Sequence, residues 1–494
     1  MRQHPTRRAD LVRSTRTWAT SVAAVAASAL PAGAALAQCL EGCTVIHTFV
    51  GEAPGDQFGW VSNDVGDLDG DGIRDLVLTA PTNDGGGNAS GRIYVHSGAS
   101  GNLLFAATGA AANWQLGHDA GGAGDLNGDG VPDIIAGAPT GGTGRAVVYS
   151  GTSRGLGTVI HTFNGQANGD EFGHRVAGGG DFDGDGVADV IVGAPGSDGN
   201  GVNSGRAYVY SGATLSLLCT LNGPSSNDRF GSGVAFVGDL DGDGRDEVAC
   251  GSQDASTGGG LAFVYRWTGT ACEAIFVLNP GGPTLDFGLW FMNGGGDVDG
   301  DGTPDIYIND YQLNRAHVFS GATGAKLWTA FGDGIGQFGI GRMVEDVDGD
   351  DCADLVLAAW VQGTGAPSAG KAFVYSGKTA TVLETFTHDV AGAGFGFDAN
   401  GMGDVDGDGR FDYLITAALD SANGATGVAY LIAGTVSPPP PPGDLDGDGL
   451  VGGADLGILL SQWGGAGSAD LDGSGVVDGA DLGALLSAWA PQKG

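Results

Sequence analysis

An acidic motif that recurs seven times at near-constant spacing limits what this chain can fold into more than any other feature. Its first copy reads Asp67-Leu-Asp69-Gly-Asp71-Gly-Ile-Arg-Asp75, and later copies open at Asp125, Asp181, Asp239, Asp297, Asp346 and Asp404. The successive offsets are 58, 56, 58, 58, 49 and 58 residues, too regular for chance. Each copy stands in the same setting. Upstream is a large apolar residue followed by Gly: Phe58-Gly59, Leu116-Gly117, Phe172-Gly173, Phe230-Gly231, Phe287-Gly288, Phe338-Gly339 and Phe395-Gly396. Downstream comes an apolar run such as Leu76-Val77-Leu78-Thr79-Ala80-Pro81. A segment alternating with period two follows, such as Arg206-Ala207-Tyr208-Val209-Tyr210, and then a shorter one such as Leu217-Leu218-Cys219-Thr220-Leu221.

Each unit therefore holds four strands. Gly supplies 97 of the 494 residues, and because Gly inside a helix costs about 0.5 to 1 kcal/mol relative to Ala, short strands joined by tight turns are expected. Seven four-stranded units close most naturally into a ring, since radial repetition leaves only short, protected edges. The fold class expected is all-β, a seven-bladed β-propeller. The seventh unit has strand patterns near 397–403, 412–417 and 428–432 but no fourth, whereas Thr44-Val45-Ile46-His47-Thr48-Phe49-Val50 matches a fourth strand and precedes the first unit. The N-terminal strand is expected to complete the last blade.

The F-G, D-x-D-x-D-G and G-A-P elements resemble the FG-GAP repeats of the integrin α-subunit propeller and its bacterial relatives. The resemblance implies calcium in the loop joining the first two strands of a blade, on one face of the disc. Ligands, in relatives that bind them, usually meet the opposite face.

The residues point to the same chemistry. Acids at positions 1, 3 and 5 of a tight loop face one side, Gly at position 6 permits the turn, and an acid at position 9 closes the shell; this many hard oxygens suit Ca²⁺ better than Mg²⁺. No His or Cys stands at a ligand position, which argues against a transition metal. The candidate ligands are Asp67, Asp69, Asp71 and Asp75; Asp125, Asn127, Asp129 and Asp133; Asp181, Asp183, Asp185 and Asp189; Asp239, Asp241, Asp243 and Glu247; Asp297, Asp299, Asp301 and Asp305; Asp346, Asp348, Asp350 and Asp354; and Asp404, Asp406, Asp408 and Asp412. In the sixth loop Asp351 replaces the turn Gly, which weakens that site without excluding it.

With 58 Asp and Glu against 21 Lys and Arg, the net charge is −37. Such a balance repels phosphate backbones and anionic lipid, so nucleic acid is excluded as a partner. The N-terminus carries Arg2, Arg7, Arg8, Arg13 and Arg16, then a weakly apolar stretch from Trp18 to Ala34 and an Ala35-Leu36-Ala37 cleavage pattern. Residues 1–37 read as a signal peptide, so the mature protein is expected outside the cell or on its surface. No later stretch is long and apolar enough to span a membrane. Of the six cysteines, Cys39 and Cys43 are placed for a local bridge, and Cys219, Cys250, Cys272 and Cys352 read as small buried hydrophobes.

The propeller is assigned residues 38–437, and a polyproline linker over 438–443 separates it from a module at 444–490. There, Asp444, Asp446, Asp448 and Asp455 occupy positions 1, 3, 5 and 12 of an EF-hand-spaced loop, and Asp470, Asp472, Ser474, Asp478 and Asp481 occupy positions 1, 3, 5, 9 and 12 of a second. A helical pattern follows each, Leu456 to Trp463 and Leu482 to Trp489. This duplicated loop and helix is similar to type I dockerins, small α-helical EF-hand-like domains that dock onto cohesins. The resemblance implies two more Ca²⁺ sites and a cohesin-type or cell-surface partner. Gly453-Ala454 and Gly479-Ala480 stand where dockerins commonly carry recognition side chains, which puts the cohesin partner in doubt.

No H-E-x-x-H pair or P-loop is present, and the regular carboxylates are assigned to metal, so no catalytic residue is named. His118 and His174, at equivalent places after the L-G and F-G elements, read as strand residues. The loops between second and third strands, Thr82 to Gly91, Gly196 to Gly205 and Ser252 to Gly260, differ in sequence on the face opposite the acidic loops, where recognition usually resides. Tyr311 and Trp360 are aromatic candidates there for a glycan or protein ligand. The leading expectation is a non-catalytic adhesion or carbohydrate/protein-binding module. A structural surface component, then a polysaccharide hydrolase or lyase, are the alternatives.

Overall fold

The computed structural model describes residues 43–151, 157–254, 259–332, 337–363, 366–419, 424–437, 442–447 and 450–489. The signal-peptide assignment, Cys39, most of the polyproline run and the ligand candidate Asp448 lie outside these residues.

Twenty-eight strands form seven four-stranded antiparallel sheets, one per repeat. The seven-bladed propeller is therefore present, and it closes as the repeat count requires. Thr44–Val50 pairs antiparallel with Val428–Ala433, Thr44 opposite Ala433 and Val50 opposite Val428, and becomes the outermost strand of the seventh blade. The innermost strands are Ser62–Gly66, Asp119–Gly124, Val176–Gly178, Val234–Gly238, Met292–Gly296, Phe338–Val344 and Ala399–Gly403.

Second strands such as Asp75–Ala80 and Asp412–Ala417 are buried along their whole length. Both faces of each blade are covered by neighbouring blades, and successive side chains point to opposite faces, so one strand feeds two cores. In the first blade Val77 packs towards Ile134 and Ala136 of the second blade, while Leu76 and Leu78 pack towards Leu414 and Leu431 of the seventh.

The aromatic-Gly element joins the blades. Phe172 is buried and bridges Gly144 at the start of the preceding blade's third strand, and Leu116, Phe230 and Phe395 do the same at Gly91, Gly205 and Gly370. Gly173 is needed there twice over: its φ is +88°, and a Cβ would lie 2.0 Å from the Arg145 carbonyl oxygen.

Three expectations are corrected. Cys219 and Cys272 are not isolated hydrophobes but a disulfide joining the outer strands of the third and fourth blades, Leu217–Asn222 and Cys272–Leu278; the partners lie 53 residues apart, beyond any local sequence signal. Cys250 and Cys352 are buried thiols, as read. The expected Ser252–Gly260 loop is mostly strand, because Glu247–Asp254 and Gly259–Trp267 extend their pairing past the blade edge. His118 and His174 stand outside the strands, just before the innermost strands of the second and third blades.

The C-terminal residues form helices α1 (Gly453–Ser461) and α2 (Gly479–Ser487), each starting three residues earlier than its apolar pattern suggested. The shift comes from capping: Asp455 and Asp481, at the third helical position, reach back to the N–H groups of Gly452 and Asp478. Val451, Leu459, Ala469, Val477 and Leu485 make the module's buried core.

Candidate metal centres

Every acidic loop joins the first and second strands of a blade, so the ring places all seven on one face. The loops share one internal wiring. The first carboxylate is held by its own loop: Asp67 accepts the N–H groups of Gly70 at 2.7 Å, Asp71 at 3.2 Å and Gly72 at 2.8 Å. The position-5 acid accepts the N–H two residues on, as Asp71 does from Ile73.

The position-9 acid is the pillar. Asp75, Asp133, Asp189, Asp305, Asp354 and Asp412 are all buried. One oxygen of each accepts the N–H of loop position 2, as Asp189 does from Phe182 at 2.8 Å. The other accepts from a Gly after the third strand, Gly98, Gly151, Gly212, Gly321, Gly377 or Gly434. This residue therefore ties the acidic loop to the neighbouring turn, a second role that position-counting could not show. The fourth loop differs: Glu247 accepts only from Leu240, and its Oε1 is buried without a partner.

Ligand atoms of Asp67, Asp69 and Asp71 lie within 4.8 Å of one another, as do those of Asp181, Asp183 and Asp189, of Asp239, Asp241 and Glu247, of Asp297, Asp299 and Asp305, and of Asp346, Asp348 and Asp354. Burial, with the neighbouring acids adding to it, pushes Asp75, Asp133, Asp305, Asp354 and Asp412 up to about 6, Asp189 to about 7 and Glu247 to about 8. Charge crowded in this way, with the buried and unpartnered oxygens Glu247 Oε1 and Asp348 Oδ1, suits a hard divalent cation.

In the C-terminal module the position-12 carboxylates are used differently. Asp455 accepts from Leu445 and Asp446 through one oxygen and from Gly452 through the other, and Asp481 repeats this with Leu471, Asp472 and Asp478. These backbone bonds hold both carboxyls below the usual range. Asp444 accepts the N–H of Gly447 and Asp470 that of Gly475, while Asp478 caps α2 through Ala480. Ser474 stands at position 5 with its N–H bonded to Asp472.

The face opposite the propeller's acidic loops carries an aromatic group of which only His118 and His174 were read from the sequence, as strand residues, while Trp60, Trp290 and Phe397 were missed. Trp60, His118, His174 and Phe397 directly follow the repeat's aromatic-Gly or Leu-Gly pairs, and Trp290 stands one place further on. His118 lies 4.6 Å from His174 and stacks on Trp290 at 6.3 Å, and Trp60 lies 5.1 Å from Phe397. Burial and the nearby Arg175 push His118 down to about 4. Tyr311, by contrast, is buried in a single helical turn, Tyr311–Leu313, and Trp360 packs half-buried on Phe397 at 5.5 Å. The place after the Gly, already noted for His118 and His174, is the signal that extends to Trp60 and Phe397.

The FG-GAP repeat family model matches residues 59–96, 119–150 and 172–210, the first three repeats. Among curated proteins the chain is 33% identical over 209 residues to integrin alpha-5 of Xenopus laevis, covering 37% of this chain and 20% of that protein. It is 29% identical over 219 residues to integrin alpha-V of Gallus gallus, covering 40% and 20%, and 30% identical over 220 residues to integrin alpha-PS2 of Drosophila melanogaster, covering 40% and 15%. The chain thus spans a fifth or less of the length of these relatives. Its body is an integrin-α-like β-propeller carrying FG-GAP repeats.

Proposed function

We propose that this chain is a secreted calcium-binding propeller that acts as a non-catalytic adhesion or ligand-binding module and is tethered through its dockerin-like C-terminal module. The observation that carries the reading is the sevenfold loop, which brings carboxylates together on one face of a rigid ring. Seven clusters of like charge without a cation would repel the blades from one another, and Ca²⁺ removes that repulsion while meeting the oxygens the backbone leaves unpartnered. The ring then presents its opposite face, with the second-to-third-strand loops and the aromatic group, to a glycan or protein. Similarity to integrin α-subunits supports recognition over catalysis. No helix of the described residues is long and apolar enough to cross a membrane.

Calcium titration by calorimetry, on the mature chain and on a chain ending at Ser437, tests the reading. More than two ions per full chain, most of them kept by the shortened one, is the expected result. Binding confined to the C-terminal module would refute the propeller sites.

A further inference from the structure

Five of the third strands begin with a cation, Arg92, Arg145, Arg206, Arg315 or Lys371, at the point where a loop of the face opposite the acidic loops enters the strand. Two of these cations stand apart. Arg145 and Arg206, equivalent residues of neighbouring blades, make no ion pair, whereas every other arginine among the described residues pairs with a carboxylate. At the same strand position Arg92 pairs with Glu52 and Arg315 with Asp310. In a chain with 58 Asp and Glu against 21 Lys and Arg, two adjacent blades that leave their arginine without an acid call for a reason.

Both side chains are nevertheless held in place. The Arg145 guanidinium lies over the Trp114 ring, 3.5 Å from its centroid, and its Nη2 donates to the Gly141 carbonyl at 3.0 Å. Arg206 donates through Nε to Asn222 Oδ1 at 3.0 Å and through Nη1 to Gln166 Oε1 at 3.3 Å. Gln166 follows the second blade's outer strand, in which Asn164 is the cross-strand partner of Arg145, so the two arginines belong to one strip across the seam between blades. Gly199 makes room for Arg206, because a Cβ there would lie 2.4 Å from Nε. One nitrogen of each fork stays free: Arg145 Nη1 and Arg206 Nη2 bond to no described residue and are not enclosed. Burial pulls Arg145 down and no carboxylate pulls it back. Asp170, the acid that Arg206 influences, is itself buried and accepts the N–H of Ala167.

We propose that the strip of Trp114, Arg145, Asn164, Gln166, Arg206 and Asn222 binds an acidic polysaccharide through the carboxylates of its uronic acid units. The proposal rests on the ligand-binding reading above and names the ligand class. A guanidinium fixed along one edge presents its remaining N–H groups at a set angle, and a carboxylate takes them as a charge-assisted pair. The amide side chains beside the two guanidiniums offer donors and acceptors to sugar hydroxyls. An acidic peptide would meet the charge but find no apolar pocket for an anchor, since Arg145 covers the strip's one ring, Trp114. The acidic loops, which repel an anion, stand on the other face of the ring, where salt screens them.

The test uses the full mature chain in calcium, titrated by calorimetry with trigalacturonate, with the uncharged trisaccharide maltotriose and with hexaglutamate. Trigalacturonate is expected to bind, less tightly as salt is raised, and the other two at least about tenfold more weakly. Arg145→Ala and Arg206→Ala are each expected to weaken binding by about tenfold with Tm near wild type. Should either misfold, Arg145→Lys, which keeps the charge and loses the fork, is expected to weaken binding severalfold. Maltotriose or hexaglutamate binding as tightly as trigalacturonate, or undiminished binding in the folded arginine variants, would overturn the strip. Undiminished binding would leave the ligand-binding reading standing at another surface, such as uronate bridged by calcium to the acidic loops. No trigalacturonate binding beside hits on a glycan and protein array would overturn this proposal alone, and a blank array as well would sink both.

Discussion

The propeller and the C-terminal module both carry Asp-rich loops, yet the two regions hold them by different means. Each propeller loop is set into a ring whose cores lie between blades, and in every loop but the fourth its position-9 acid is bonded to backbone from two directions. The module packs its loops on five buried side chains and two nine-residue helices. Helices that short are marginal alone, and so small a core cannot repay the ordering entropy. On the calcium reading proposed above, the same ligand chemistry is an addition to a fold in one region and a condition for folding in the other.

Chelation should separate the two most widely. The module is expected to lose its helices completely, read as loss of circular dichroism at 222 nm in a chain of residues 442–494. The propeller is expected to stay folded with a lower midpoint. If each propeller site binds in the 10⁻⁴ to 10⁻³ M range against calcium on the order of 1 mM, it contributes about 0.4 to 1.4 kcal/mol. Over seven sites that is a midpoint shift of roughly 3 to 12 °C for a ring of this length. A propeller that unfolds with the module would erase the contrast.

Within the propeller, Asp189→Ala strands the N–H groups of Phe182, Asp183 and Gly212. A loss of about 3 kcal/mol is expected in urea unfolding, with or without calcium. Asp71→Asn removes an exposed position-5 carboxylate and should cost under about 1 kcal/mol, seen only with calcium present. Equal, calcium-dependent losses in both would show that position 9 is a ligand and no pillar.

Reducing Cys219–Cys272 should cost about 2 kcal/mol, at the low end for a disulfide because the ring already holds both strands in place. Differential scanning calorimetry of the Cys219→Ala/Cys272→Ala variant would measure it.

A further effect is expected on pH. Asp75, Asp133, Asp189 and Glu247 have folded-state values raised above their ordinary ones, so the native chain holds more protons than the unfolded chain between pH 4 and pH 8. In chelator, stability should therefore fall as pH rises through that window. With calcium bound the trend should reverse, since protons then compete with the ion. Matched Tm series at pH 5, 6, 7 and 8, with calcium and with chelator, would reveal a common slope if the acids were not metal ligands.

What could be read in advance was what repeats. The strand order, the blade count and the closure by Thr44–Val50 follow from a pattern written once per repeat, and Leu76-Val77-Leu78 announces a strand buried on both faces without any knowledge of its neighbours. Asp67, Asp69 and Asp71 were legible as one cluster because the acids of one loop are neighbours in the chain. Asp189 was legible as an acid at position 9 but not as a support, because Gly212 lies 23 residues away in another turn.

By itself the sequence determined the ring, through local signals at a constant period, and the residue types that crowd one face with carboxylates. Only the tertiary structure decided what meets at the axis and the rim. Asp119 reaches Arg175 across 56 residues, Ser62 donates to Asp398 across 336, and Cys219 joins Cys272 across 53. A propeller brings one residue from each blade to its centre, so contacts there are set by the closing of the ring, and no stretch of chain shorter than a repeat carries them.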